Sequence, residues 1–493
     1  MSYLLAMDQG TSSSRSMVFH PDGRVVASAH EVLPQIYPQP GWVEHDPQVI
    51  WRSQLSSARQ ALKNANIKAS QLAAIGITNQ RETTLLWRRD NGQPLHHAIV
   101  WQDRRTEPVC KQLREAGFSA LVKEKTGLVI DAYFSATKLQ WLLNHVPGAR
   151  QMAERGELAF GTVDSWLLWQ LSGAAVHATD VSNASRTMLF NIHTGQWDEE
   201  LLTLFDIPVS VLPRVQASAG LFGHAQAQHL GAVLPITGMA GDQQSALFGQ
   251  ACFEAGQVKN TYGTGCFMLM NTGAQCANSQ HGLISTSAAQ TDATAAFALE
   301  GSVFIAGAVV QWLRDGLGAF EHSADIQALA ASVPDAGGVV VVPAFTGLGA
   351  PYWQADARGA ILGLTRGTTM AHIARAALES IAFQSAVLLQ AMHQDAIHTV
   401  TQLRVDGGAC VNDLLMQMQA DLLGIPVLRP AVIETTAFGA ACLAGLGCGI
   451  YPNVQTLASY WRLEKAFEPS ISRDQALTKM SDWERAVRQT TTV

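Results

Sequence analysis

Asp8, Thr11, Ser12, Ser13 and Arg15 crowd into the first turn of the chain, YLLAMDQGTSSSRSMVF at Tyr3–Phe19. A short apolar run, Tyr3–Met7, precedes them, and a second, Met17–Phe19, follows. Two such runs around a Gly/Ser-rich turn predict a hairpin. Gly10 lets backbone N–H groups approach a partner closely. A concave row of N–H groups with three hydroxyls and a guanidinium suits phosphate. Asp8 beside it suits a metal ion carrying that phosphate. The same residues also fit an ordinary polar turn with a surface Arg, and the stretch alone leaves both readings open.

Two further regions, Pro235–Gly273 and Leu403–Cys410, repeat the pattern. Ile236–Met239 predicts a strand that ends in Ala240-Gly241-Asp242-Gln243-Gln244 and turns into a helix. Asp242 at that point fits either a general base or the N-cap of a helix over 243–250. The run NTYGTGCF at Asn260–Phe267 places a Gly-Thr-Gly turn between strands, echoing Gly10-Thr11-Ser12. LRVDGGAC at Leu403–Cys410 reads as strand, acid, two glycines, then a helix from about Asn412. Three such sites predict two similar lobes around one nucleotide.

Polar clusters also close other predicted strands. Ala73–Thr78 ends in Asn79-Gln80-Arg81-Glu82-Thr83-Thr84, and Ala98–Trp101 ends in Gln102-Asp103-Arg104-Arg105. Open α/β sheets place their ligands at such ends. Arg81 offers a fork of donors and Glu82 a paired acceptor, a set able to clamp two adjacent hydroxyls. A surface ion pair is the alternative. Successive strand residues point to opposite faces, so both can point inward only from a loop conformation.

Composition bounds the rest. The chain has 493 residues, 47% hydrophobic and 15% charged, with net charge −7. That predicts about two to four domains with large cores. The acidic balance argues against nucleic acid and against an anionic membrane as partners. The seven cysteines show no C-x-x-C pair, which predicts free thiols in a reducing, cytoplasmic setting. Asp8 interrupts the first apolar run, so no signal peptide is expected. Ala437–Tyr451 is shorter than the ~20 residues that span a bilayer and reads as a buried helix, with no membrane insertion. Arg24–Leu33 predicts a third strand. Asp46-Pro47 predicts a helix start. Neither G-x-x-x-x-G-K-[ST] nor G-x-G-x-x-G occurs, which excludes P-loop and Rossmann nucleotide sites.

The three Gly-rich sites, in this order, resemble the two phosphate motifs and the adenosine motif of the sugar kinase/Hsp70/actin superfamily. Within it the chain resembles the FGGY carbohydrate kinases, and among these the branch that acts on glycerol. The matching stretches include DQGTSSSR at Asp8–Arg15, PGWVEHDP at Pro40–Pro47, GITNQRETT at Gly76–Thr84 and WQDRRT at Trp101–Thr106. Phe160–Trp169, Asn183–Thr194, Gly241–Gln250, Asn260–Gly273, Pro343–Trp353 and Arg404–Ala409 continue the series. The likeness runs to about Tyr451 and fades in the tail.

The resemblance implies an α/β fold of two RNase H-like (actin-like ATPase) lobes with a nucleotide cleft between them. The expected lobes are residues 1–249, for glycerol and phosphate, and 250–493, for adenosine. The implied reaction is ATP-dependent phosphorylation of glycerol to sn-glycerol 3-phosphate, with Asp242 as general base. Arg81, Glu82, Trp101, Tyr133, Asp242, Gln243 and Phe267 would contact glycerol. Thr11, Ser12, Ser13, Arg15 and Thr264 would meet the phosphates. Gly307, Gln311, Gly408 and Asn412 would surround adenosine, with close approach of the ligand or helix–helix packing as the reason for glycine at 307. Asp8, through water, and Asp242 would hold Mg²⁺. A homodimer or homotetramer is expected from the family. A sugar kinase of the same family would share Asp8 and Asp242 but differ around Arg81, Glu82 and Phe267. An actin-like or Hsp70-like relative would have no need of the polyol set.

Regulation is expected to differ from that of enteric members. Their loop for fructose 1,6-bisphosphate supplies an Arg, whereas the matching stretch here, His229–Pro235, has neither Arg nor Lys. Their zinc-binding Glu near the C-terminus is matched by a hydroxyl in Pro469-Ser470-Ile471-Ser472.

Overall fold

The computed structural model describes residues 2–354, 356–395 and 398–491. Its first sheet contains β1 (Tyr3–Gln9), β2 (Ser13–Phe19), β3 (Val25–Val32), β4 (Leu72–Asn79), β5 (Ala219–Ala225) and β6 (Leu234–Gly241). They lie in the order β5-β6-β4-β1-β2-β3. β1 runs antiparallel to β2 and parallel to β4, and β4 is parallel to β6.

The second sheet contains β7 (Val258–Tyr262), β8 (Cys266–Gly273), β9 (Ile284–Ser287), β10 (Phe297–Val303), β11 (Leu403–Asp406), β12 (Val427–Pro430) and β13 (Leu463–Phe467). Their order is β9-β10-β8-β7-β11-β12-β13. Here too the first strand, β7, pairs antiparallel with the next and parallel with a later one, β11. The turns at residues 10–12 and 263–265 therefore occupy equivalent corners of two like sheets. This is the expected fold: mixed α/β, with one sheet in each of two lobes.

β1 shows why the first sheet is central. Leu4, Leu5, Ala6 and Met7 are all buried, as in a strand covered on both faces. Leu5 and Met7 join one core, with Ile50, Ala58, Ile75 and Ile77. Leu4 and Ala6 join another, with Ala74, Ala240, Phe438 and Leu443. The first face is covered by α1 (Pro47–Asn64), whose N-cap Asp46 accepts from the Gln48 N–H at 2.7 Å.

The other face is covered from far along the chain. α2 (Asp242–Gly249) follows β6 directly, and the second lobe contributes α3 (Gly307–Asp315), α4 (Met370–Asp395) and α5 (Asp413–Leu423). Then α6 (Thr435–Gly447) returns to the first sheet and packs on β1, β4, β6 and α2. A Cβ at Gly76 on β4 would strike the Ala440 carbonyl, and one at Gly439 the Ser245 carbonyl. Backbone meets backbone there, so both positions need glycine. The tail is ordered structure: β13 edges the second sheet, and α7 (Arg473–Thr491) buries Trp483 stacked on Phe383. All seven cysteines are free thiols. Among the described residues, no helix is long and apolar enough to cross a membrane.

Candidate active site

Three parallel strands of the first sheet end side by side. Asp8 pairs with Thr78, and Asn79 with Gly241, so Asp8, Arg81 and Asp242 emerge at one edge. Glu82 adopts φ 60°, a left-handed conformation that is uncommon for a residue with a side chain. The Thr83 N–H donates to the Arg81 carbonyl at 2.7 Å, closing a tight turn. This bend replaces strand alternation, and both Arg81 and Glu82 are buried.

The Arg81 guanidinium donates from Nη1 and Nη2 to the two carboxylate oxygens of Glu300, at 2.6 and 3.0 Å. Its Nε lies 3.2 Å from Asp242 Oδ1 and 3.8 Å from Glu82 Oε1. Nη2 also reaches the Tyr133 hydroxyl at 3.4 Å. Arg186 closes the network, with Nε donating to Glu82 at 2.6 Å and Nη2 to Glu300 at 3.0 Å. Burial favours neutral Glu300, but Arg186 and Arg81 reverse this and hold its carboxyl well below the usual value.

Asp242 opens α2 and is not its N-cap. Gly241 holds that position, so the helix begins one residue before the expected 243. The Asp242 carboxylate accepts from the Gln243 N–H at 2.8 Å and is otherwise left to the cleft side of Arg81. Burial raises its pKa, while Arg81 and Lys259 pull it down. A general base needs that upward tuning.

Aromatic rings form the apolar wall. Trp101 stands edge-on to Tyr133 at 5.6 Å and to Phe267 at 6.4 Å. Phe267 comes from β8, so the two lobes complete the box together. The Trp101 indole N–H donates to the Thr11 hydroxyl at 2.8 Å, which ties this wall to the first phosphate-type turn.

In that turn, Ser12 is exposed, and its carbonyl accepts from the Leu33 N–H. Arg15 pairs with Asp8 across the hairpin and forms an ion pair with Glu434, just before α6. Burial pushes the Asp8 carboxyl up to about 6, Arg15 pulls it down, and the Asp242 charge pushes it up. A buried carboxyl whose charge a neighbouring carboxylate disfavours fits a divalent cation. No group of three or more ligating side chains gathers there or elsewhere among the described residues. Mg²⁺ matches such a sparse set, since it keeps waters and phosphate oxygens as ligands.

The second lobe brings Thr264 and Gly307 together. The Thr264 carbonyl accepts from the Ala306 and Ala308 N–H groups, and the Gly263 carbonyl from Gly307. Gly307 starts α3 and does not lie inside a helix. A Cβ there would sit 2.6 Å from the Gly263 carbonyl oxygen. The neighbour that crowds this glycine is the backbone of the 263–265 turn and not a second helix. Gln311 is one turn further along α3 and exposed. Gly408 is exposed, with open space where a Cβ would stand. Asn412 caps α5 by accepting from the Leu415 N–H at 3.0 Å.

Sequence reasoning missed Glu300, Arg186, Lys259 and Glu434. Glu300 is a lone carboxylate in the apolar strand FALEGSV, which signals a buried charge with a partner. Arg186 lay within the quoted Asn183–Thr194 stretch but had no assigned role.

Known proteins match this architecture along its length. The N-terminal domain of the FGGY family of carbohydrate kinases matches residues 3–249, and its C-terminal domain matches residues 258–448. A glycerol kinase of Polaromonas sp. (strain JS666 / ATCC BAA-500) is 67% identical over 494 residues, covering 99% of each chain. One from Acidovorax ebreus (strain TPSY) is 66% identical over 493 residues, again covering 99% of each. The crystal structure of Plasmodium falciparum glycerol kinase with ADP superimposes with TM-score 0.92 at 36% identity, covering 100% of this chain and 99% of that one. A ligand-bound xylulose kinase from Lactobacillus acidophilus, 22% identical with TM-score 0.88, covers 99% of this chain and 98% of that one and shares the fold. The chain belongs to the FGGY family of carbohydrate kinases.

Proposed function

We propose that the chain is an ATP-dependent glycerol kinase that forms sn-glycerol 3-phosphate and ADP. The observation that carries this reading is the small two-sided box at the sheet edge. Arg81, Glu82 and Asp242, with the Tyr133 hydroxyl, supply paired donors and acceptors on one side, and Trp101 and Phe267 supply hydrocarbon on the other. A three-carbon polyol has that polarity. Relatives of 66–67% identity named glycerol kinase support it.

In this reading Asp242 accepts the proton of a terminal glycerol hydroxyl. That oxygen bonds to the γ-phosphorus in line as the bond to the β-phosphate oxygen breaks, and ADP leaves. Arg81 and Glu82 clamp neighbouring hydroxyls, with Gln243 at the reacting end. Thr11, Ser12, Ser13 and Arg15 receive the β- and γ-phosphates from one lobe and Thr264 from the other. Gly307, Gln311, Gly408 and Asn412 surround adenosine. Asp8, through water, and Asp242 would hold Mg²⁺, which when bound neutralises phosphate charge. Residues 1–249 and 250–493 are the two working lobes of a cytoplasmic homodimer or homotetramer.

A coupled ADP-release assay over a panel of polyols and sugars tests the proposal. Glycerol should give the highest kcat/KM. Preference for a ketose, or no ADP release with any acceptor, would overturn it.

A further inference from the structure

Lys259 is a buried cation beneath the site with no part in the reaction above. It stands on β7, fully buried. Its ammonium donates to Gln243 Oε1 at 2.5 Å, to the Thr261 hydroxyl at 2.7 Å and to the Phe267 carbonyl at 3.2 Å. An ammonium has three donors and no acceptor, so these contacts use it completely. All three acceptors are neutral, an unfavourable setting for a buried charge. Burial accordingly pushes the lysine down to about 8, against the pull of Asp406 and Asp242. Two of its three acceptors belong to residues placed at the polyol.

An amide side chain has one accepting end and one donating end. Because Lys259 can only donate, it takes Oε1 and leaves Nε2 as the free end. We propose that Lys259 is a positioning residue that locks the Gln243 amide with its NH₂ toward the acceptor hydroxyl, beside Asp242. The reacting end then offers one donor and one acceptor, complementary to a hydroxyl, which both accepts and donates. This inference rests on the reading of Asp242 and Gln243 as the acceptor end of a glycerol site.

Gln243→Glu tests it most directly. A carboxylate keeps the Lys259 contact and replaces the donating NH₂ with an acceptor. Thermal unfolding should occur at or above the wild-type temperature. KM for glycerol should rise at least about tenfold, the factor expected for losing one hydrogen bond of about 1.4 kcal/mol, with KM for ATP unchanged. Lys259→Met frees the amide to flip and should raise KM for glycerol severalfold. In the Lys259→Met background, Gln243→Glu should have a clearly smaller effect than in wild type. A folded Gln243→Glu enzyme with a glycerol KM within twofold of wild type overturns the proposal, as does strict additivity of the two changes. If Lys259→Met does not fold, Gln243→Glu alone decides. Full turnover in Asp242→Asn would overturn the underlying reading instead.

Discussion

Arg81 and Glu300 meet fork to fork from opposite sheets. Nη1 of the guanidinium lies on Oε2 of the carboxylate and Nη2 on Oε1, and both side chains are buried. The Nε edge of Arg81 faces Asp242. The second lobe thus sets the orientation of a residue that belongs to the first.

Arg81→Ala should therefore do two things. It should raise KM for glycerol, by about 1.5–3 kcal/mol if a charged hydrogen bond is lost. It should also leave Glu300 with Arg186 as its remaining guanidinium partner and lower stability by up to about 3–5 kcal/mol, the scale for a buried pair that loses one partner outright. Thermal unfolding beside glycerol kinetics checks both. An unchanged melting temperature would contradict the buried network.

Asp242→Asn should keep the fold and glycerol binding and lose about 10²–10⁴-fold in kcat. The amide has similar size but cannot accept the hydroxyl proton. Near-normal turnover in the purified variant would remove Asp242 from the role of base.

Trp101→Phe deletes the indole N–H that joins the polyol wall to Thr11 while keeping a ring against Tyr133 and Phe267. Losing one such bond costs about 1 kcal/mol. The expected result is a roughly fivefold drop in kcat/KM for ATP, larger than the change in KM for glycerol. Equal or opposite effects would show that the link does not position the phosphate turn.

Asp164 gives a pH test of stability away from the site. It is fully buried at the start of the helix Val163–Leu171, accepting from Thr162 and, at 2.6 Å, from Thr179. Burial pushes its carboxyl up to about 7. Between about pH 4 and 7 the folded chain then holds a proton that the unfolded chain has released. Stability from this group is complete below that window and falls as pH rises through it, by at most about 4 kcal/mol. Asp164→Asn should gain on wild type as pH goes from 5 to 8 in melting experiments. A pH-independent difference would show that Asp164 is ionised in the fold.

Fructose 1,6-bisphosphate should leave the initial rate unchanged at enzyme concentrations that favour an oligomer. Arg59, on α1, lies against this stretch and already donates to the His229 and Gln228 carbonyls. The serines that replace the zinc-binding segment are engaged too. Ser470 bonds Asp421, and the Ser472 hydroxyl accepts from the Gln475 N–H at the start of α7. Strong inhibition by the bisphosphate would show that the reading of the His229–Pro235 loop is wrong.

The hairpin turns, the Arg81–Glu82 bend and the strand leading to Asp242 were legible because their signals are local. Glycine beside a polar residue marks a turn wherever it occurs. Glu300 was not, because a lone charge in an apolar strand announces burial without naming its partner, and Lys259 was not, because a lysine beside Asn260 and Thr261 reads as an exposed polar strand. Arg81 lies 219 positions from Glu300, a pairing that only the tertiary fold supplies. Gly307 is a related case. The sequence marks a place where a side chain is unwelcome, and only the structure identifies the crowding neighbour as backbone.

The glycine-lined seat of α6 on β4 and α2 also bears on the order of synthesis. A ribosome releases β1 through β6 long before residues 435–447 exist. At about 5–20 residues per second, the face carrying Leu4, Ala6, Ala74 and Ala240 waits on the order of ten to forty seconds for its cover. During that interval the nascent first half carries an apolar surface that holdase chaperones recognise. Expressed alone as residues 1–249, it should be retained on such chaperones or aggregate, and co-expression of the remainder should rescue it.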